Sequence, residues 1–131
     1  MIIPTDCCGK PYGQYQALLT DGQMINKVTY DANWFTFYCN GNDASVINAP
    51  DHIGYVIIDL GALYDVNTVK AHIIAPGVSG IKGPKSVKAY FSADNETWSE
   101  AYALDLSALV DPAVAFYAVA EAEAQAQYVK V

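Results

Sequence analysis

Between Tyr30 and His52 the sequence gathers the residue types that recognise a sugar. Trp34, Phe35 and Tyr38 offer flat aromatic faces that can cover the apolar side of a pyranose, and Asn40, Asn42, Asp43 and His52 follow with planar polar groups for its hydroxyls. Trp34 has two readings, a platform in that site or a core residue following the Asp21-Gly22 turn. Nothing comparable points to catalysis. There are two histidines: His52 lies in a loop, and His72 lies within an apolar run, the setting of a packed or surface residue rather than a base. Neither a Gly-x-Ser-x-Gly motif nor another nucleophile, base and orienter set is present. Asp and Glu are spread along turns, and none is marked as a glycosidase pair beside an apolar wall. Gly77, Gly80 and Gly83 are not followed by Lys-Ser or Lys-Thr opening a helix, as a phosphate cradle requires. A non-catalytic binding protein is expected, not an enzyme.

Bulk properties narrow the partners. With 131 residues the chain is expected to form one domain, residues 1–131, large enough to bury a core without staples. A hydrophobic fraction of 53% and ten tyrosines argue for a packed, aromatic-rich body and against disorder. The formal charge of −7 comes with only seven scattered Lys and Arg, so neither nucleic acid nor an anionic membrane surface is an expected partner. No apolar run is long enough to span a bilayer, and Met-Ile-Ile-Pro-Thr-Asp lacks the form of a secretory leader, so an exported protein would carry its signal outside this chain. Cys7 and Cys8 are adjacent and rarely bridge at that spacing; either one of them pairs with Cys39 or all three thiols are free.

Recognition loops need a rigid scaffold to hold them. Its centre is the stretch Gly54 to Ile74, where Tyr55 to Leu60, ended by Gly61, and Val69 to Ile74, ended by Pro76-Gly77, read as two buried strands. Asp65, Asn67 and Thr68 supply the side chains of a tight connection between them. Upstream come a Pro- and Gly-punctuated strap to Gly13, the sharp Asp21-Gly22 turn, and an unperiodic loop from Cys39 to His52. Downstream, Lys85 to Ser92 alternates, with Val87, Ala89 and Phe91 on one face and Lys88 and Tyr90 on the other, as a half-buried strand does. Ala113 to Gln127 is rich in helix formers, yet Val114, Phe116 and Ala118 alternate with Ala113, Ala115, Tyr117 and Val119, and the alternation predicts a strand instead. Short strands between turn clusters predict an all-β sandwich.

Five stretches then occur in one order: Gly9-Lys10-Pro11-Tyr12, Leu19-Thr20-Asp21-Gly22, Ile58-Asp59-Leu60-Gly61 with Tyr64, Val66 and Val69, Ser92-Ala93-Asp94 through Trp98, and Tyr128-Val129-Lys130-Val131. In this the chain resembles the discoidin, or coagulation factor type C, domain family, whose bacterial members are often carbohydrate-binding modules. The resemblance implies an eight-stranded jelly-roll β-sandwich with ligand loops at one end, extracellular or at the cell surface. It further implies a part in a larger multidomain protein, where the module targets an attached enzyme or surface protein to a mono- or polysaccharide. A second binding loop would correspond to Val78 to Lys82, which adds Lys82 to the site.

Related modules hold a structural calcium ion at spacings that fall here on Leu18, Asp21, Gln23 and Asn26; otherwise Asp21 only stabilises its turn. Trp98 matches the family's buried tryptophan and is expected in the core. Two features depart from the family pattern. Gln127 stands where an arginine is usual, and the closing strand that follows Tyr-Val-Lys-Val in the family, with its acidic calcium ligand, has no counterpart before Val131. Either the chain is trimmed or its sheet closes differently. The same fold could instead serve protein contact or assembly, with exposed Tyr and Trp as interface anchors.

Overall fold

The computed structural model describes residues 20, 54–74, 83–109 and 115–131, and every regular element among them is a strand. By packing, the chain divides into two units, Met1–Ile25 with Tyr30–Val56 and Asn26–Thr29 with Ile57–Val131. The strands belong to the second: β1 (Ile57–Ile74), β2 (Lys88–Ser92), β3 (Tyr102–Ala103) and β4 (Ala115–Lys130). They form an antiparallel sheet in the order β1-β4-β2-β3. The all-β expectation therefore holds for the described residues.

Pairing on both edges of β4 overrides the helix propensity of its Ala, Glu and Gln residues. Phe116, Ala118, Ala120, Ala122 and Ala126 are buried, while Tyr117, Glu121, Glu123 and Gln125 between them are exposed. On a helix those positions would be scattered around the axis; on a strand they sort onto two faces. The inward side chains of β4 are mostly methyl groups, so the bulk of the core comes from Phe91, Leu104, Phe116 and Val129, with Val66, Val69, Ile73 and Leu106 packed at its margin. Phe91 meets Tyr102 edge to face, ring centroids 5.0 Å apart.

The central stretch differs from its sequence reading. The two runs are not separate strands joined by a turn, but one strand that keeps its direction along β4. Pairing runs from Ile57↔Lys130 to Asp59↔Tyr128 and resumes at Tyr64↔Ala126, so the four residues Leu60 to Leu63 bulge out against Gln127 alone. The Asp59 carboxylate accepts a 2.8 Å hydrogen bond from the Gly61 N–H, and Gly61 adopts φ +83°, a left-handed conformation that glycine enters without cost. A second shift lies at Asn67, which faces both Ala122 and Glu123. Of the residues read as a turn, Asn67 and Thr68 therefore sit at an irregularity within the strand, and Asp65 pairs regularly with Gln125. Nor is β1 buried on both faces: Val66, Val69, Ala71 and Ile73 pack on the core, while Asp65, Asn67, Thr68 and Lys70 are exposed.

β2 alternates as its sequence predicts, with Ala89 and Phe91 buried and Lys88 exposed. It leads into a turn held by side chains. Ser92 Oγ accepts from the N–H groups of Asp94 and Asn95, and Asp94 Oδ1 accepts from those of Glu96 and Thr97, both at 2.8 Å. Asn95 takes φ +64°, which Asn tolerates better than most residues. The donors to the Asp94 carboxylate, Thr97 first, hold its pKa down to about 2.

Ala118 is fully buried on the central strand, so Ala118→Leu overpacks the core and should cost about 1–3 kcal/mol in a urea unfolding titration. Because the folded Asp94 has a depressed pKa, its contribution to stability is complete above the ordinary value of 3.8 and is lost as pH falls toward about 2. Urea midpoints measured from pH 5 to pH 2 should fall less steeply for Asp94→Asn than for the parent chain.

Candidate functional site

The antiparallel ladder of β1 and β4 sets outward side chains of the two strands side by side, and here they join in pairs. His72 stands opposite Tyr117, and their rings stack with centroids 4.7 Å apart and planes 25° from parallel. Thr68 stands opposite Glu121 and donates a 3.1 Å hydrogen bond from Oγ1 to Oε2. Asp65 stands opposite Gln125, whose amide donates a 2.9 Å bond to Oδ1. At the bulge, the Gln127 amide donates to Asp59 Oδ1 at 3.1 Å and to the Tyr128 hydroxyl at 3.2 Å. Gln127 thus ties the base of the bulge to β4.

The face is aromatic at one end and polar along the rest. Tyr117 keeps 41% of its surface exposed although its ring lies on His72. Burial holds the His72 pKa below its ordinary value of 6.5, so the imidazole is neutral at neutral pH. Asp59 is held below the ordinary carboxylate value chiefly by the Gly61 N–H, and Asp105 chiefly by that of Ser107. Ionised carboxylates of this kind accept hydrogen bonds; a general acid needs one pushed upward instead.

A second surface lies at the bulge. Leu60, Leu63 and Tyr64 are 37%, 53% and 55% exposed, and Leu60 and Tyr64 line an open depression of about 370 Å³ together with Ile58, Val66, Val69 and Val129. At the C-terminal end of β4, Lys130 Nζ lies 4.2 Å from the ring centroid of Trp98 and 5.0 Å from that of Tyr90. Trp98 is half-buried rather than enclosed in the core, because one of its faces takes this cation.

The residues singled out in the sequence for sugar binding, Trp34, Phe35, Tyr38, Asn40, Asn42, His52 and Lys82, lie outside the described residues. So do Leu18, Asp21, Gln23 and Asn26, the calcium set, and Cys7, Cys8 and Cys39. Among the described residues no group of three or more His, Cys, Asp or Glu converges to hold a metal, and no helix is long and apolar enough to cross a membrane. The pairing of His72 with Tyr117 was missed by sequence reading. Alternation puts Tyr117 on the outer face, but only the register supplies its partner. Comparison of the chain with family models, with curated proteins and with solved structures gives no match.

His72 generates a pH prediction. A histidine whose folded pKa is depressed favours folding fully above about 6.5 and progressively less as pH falls through its folded value. Proton NMR titration should place the imidazole below 6.5, and His72→Phe, which keeps a ring under Tyr117, should flatten the fall in urea midpoint over that range.

Proposed function

We propose that this chain is a non-catalytic glycan-recognition module with a jelly-roll β-sandwich of the discoidin type, carried by a larger exported protein and serving at or outside the cell surface. The observation that carries the reading is the outer face of β1 and β4. There an exposed Tyr117 ring, braced on His72, heads a row of planar or hydroxyl-bearing groups, Thr68, Glu121, Asp65 and Gln125. Sugar recognition needs the same division of labour, an aromatic face for the ring carbons and oriented polar groups for the hydroxyls. Under this reading the loops bearing Trp34, Phe35, Tyr38, Asn40, Asn42, His52 and Lys82 add a further contact region. A calcium ion on Leu18, Asp21, Gln23 and Asn26 would brace a loop and take no part in chemistry.

A second reading, a protein-contact module, is favoured by the exposed Leu60, Leu63 and Tyr64 at the bulge. The two separate by experiment. On the glycan reading, native gels containing a neutral polysaccharide should retard the protein saturably. Tyr117→Ala should weaken that retardation about 10- to 100-fold, the loss of an aromatic contact of about 1.5–3 kcal/mol, with the protein still folded. No retardation on any glycan, together with a mass that rises with concentration and falls back on Leu63→Asp, would establish the contact reading instead.

A further inference from the structure

We infer that the outer face of β1 and β4 selects uncharged glycans and rejects uronate- and sulfate-bearing ones. The inference rests on the glycan reading above and names its substrate class. It follows from how the carboxylates of the face are held. Glu121 takes its hydrogen bond from the Thr68 hydroxyl and Asp65 from the Gln125 amide, both neutral donors, so each keeps its negative charge uncompensated at its own partner. Glu123 is exposed between Glu121 and Gln125 on the same strand face. Three carboxylates, Asp65, Glu121 and Glu123, thus face one ammonium group, Lys70, over the rows from Asp65 to His72, a net charge of −2. His72 adds no positive charge near neutral pH, since burial keeps it deprotonated.

Such a surface accepts well and repels anions. An ionised carboxylate offers about four lone-pair sites, and Glu121 and Asp65 each use one on a protein donor, leaving the others directed to solvent. Sugar hydroxyls can donate to those sites in charge-assisted hydrogen bonds, which are shorter and stronger than neutral ones. A uronate or sulfate group brought to the same rows meets like charge, and the repulsion is strongest at low ionic strength. The Tyr117 ring adds a contact that depends on the sugar's apolar face and not on its charge.

The test is affinity electrophoresis and titration calorimetry at pH 7 with a neutral galactan, a glucomannan and a mixed-linkage glucan against polygalacturonate and chondroitin sulfate. The expected result is saturable binding to at least one neutral polymer and at least tenfold weaker binding to both anionic ones, the gap narrowing in 0.5 M salt. Glu121→Gln, an exposed and near-isosteric change, should raise binding to polygalacturonate several-fold, and Tyr117→Phe should keep neutral binding while Tyr117→Ala loses it. Equal or tighter binding to polygalacturonate by the parent chain would overturn the inference. So would neutral binding untouched by Tyr117→Ala, which removes the glycan from this face although the chain still binds one. No binding to any of the five polymers would bring down that reading and this inference together.

Discussion

Because β4 lends one edge to β1 and the other to β2 and to the Asp105↔Val119 bridge, its side-chain phase decides which face of the whole sheet is dry. A slip of one residue would exchange Ala118, Ala120 and Ala122 for Val119, Glu121 and Glu123 on the core side. Burying two carboxylates without partners is prohibitive, so the register has no near competitor. The alternation of methyl groups with carboxylates therefore specifies pairing more than it supplies packing. Bulk is left to Phe91, Leu104 and Phe116, which reach the core from β2, from the segment after β3 and from the start of β4.

That division explains what could be read from the sequence and what could not. Strand rather than helix up to Ala120 was legible because period-two alternation outweighs the helix propensity of individual Ala and Glu residues once neighbours are available on both edges, whereas the single unbroken run to Lys130 was not. The β2 strand was legible for the same reason. The continuity of β1 was not: Gly61, and the Asp and Asn that follow it, are the residues a reversing turn also uses, and only pairing to β4 on both sides of them distinguishes a bulge from a turn. Likewise Trp98 carried no mark of its cation, since Lys130 is distant in sequence and arrives through the β2·β4 register. Contacts across strands need a register, and a single sequence does not contain one. The loop residues proposed for sugar and calcium are legible as residue types alone, and they lie outside the described residues.

The outer face shows how a sheet prepares a surface. Tyr117 is backed by His72, Thr68 is tied to Glu121, and Gln125 is tied to Asp65, each pair spanning two strands of fixed spacing. Side chains held this way have already lost part of their rotamer freedom, so a ligand that meets them loses less on binding. The cost was met on folding, when the ladder formed.

The bulge between Asp59 and Tyr64 leads in another direction. The ladders on its two sides are fixed to β4 independently, by Ile58↔Val129 on one and Val66↔Ala124 on the other, and a side-chain carbon built on Gly61 would meet nothing within 4 Å. The length of this protrusion is thus decoupled from the register of the strands that flank it. Extra residues grafted between Gly61 and Ala62 would project into open solvent, which makes this corner a place where the protein can acquire new specificity while its scaffold stays the same.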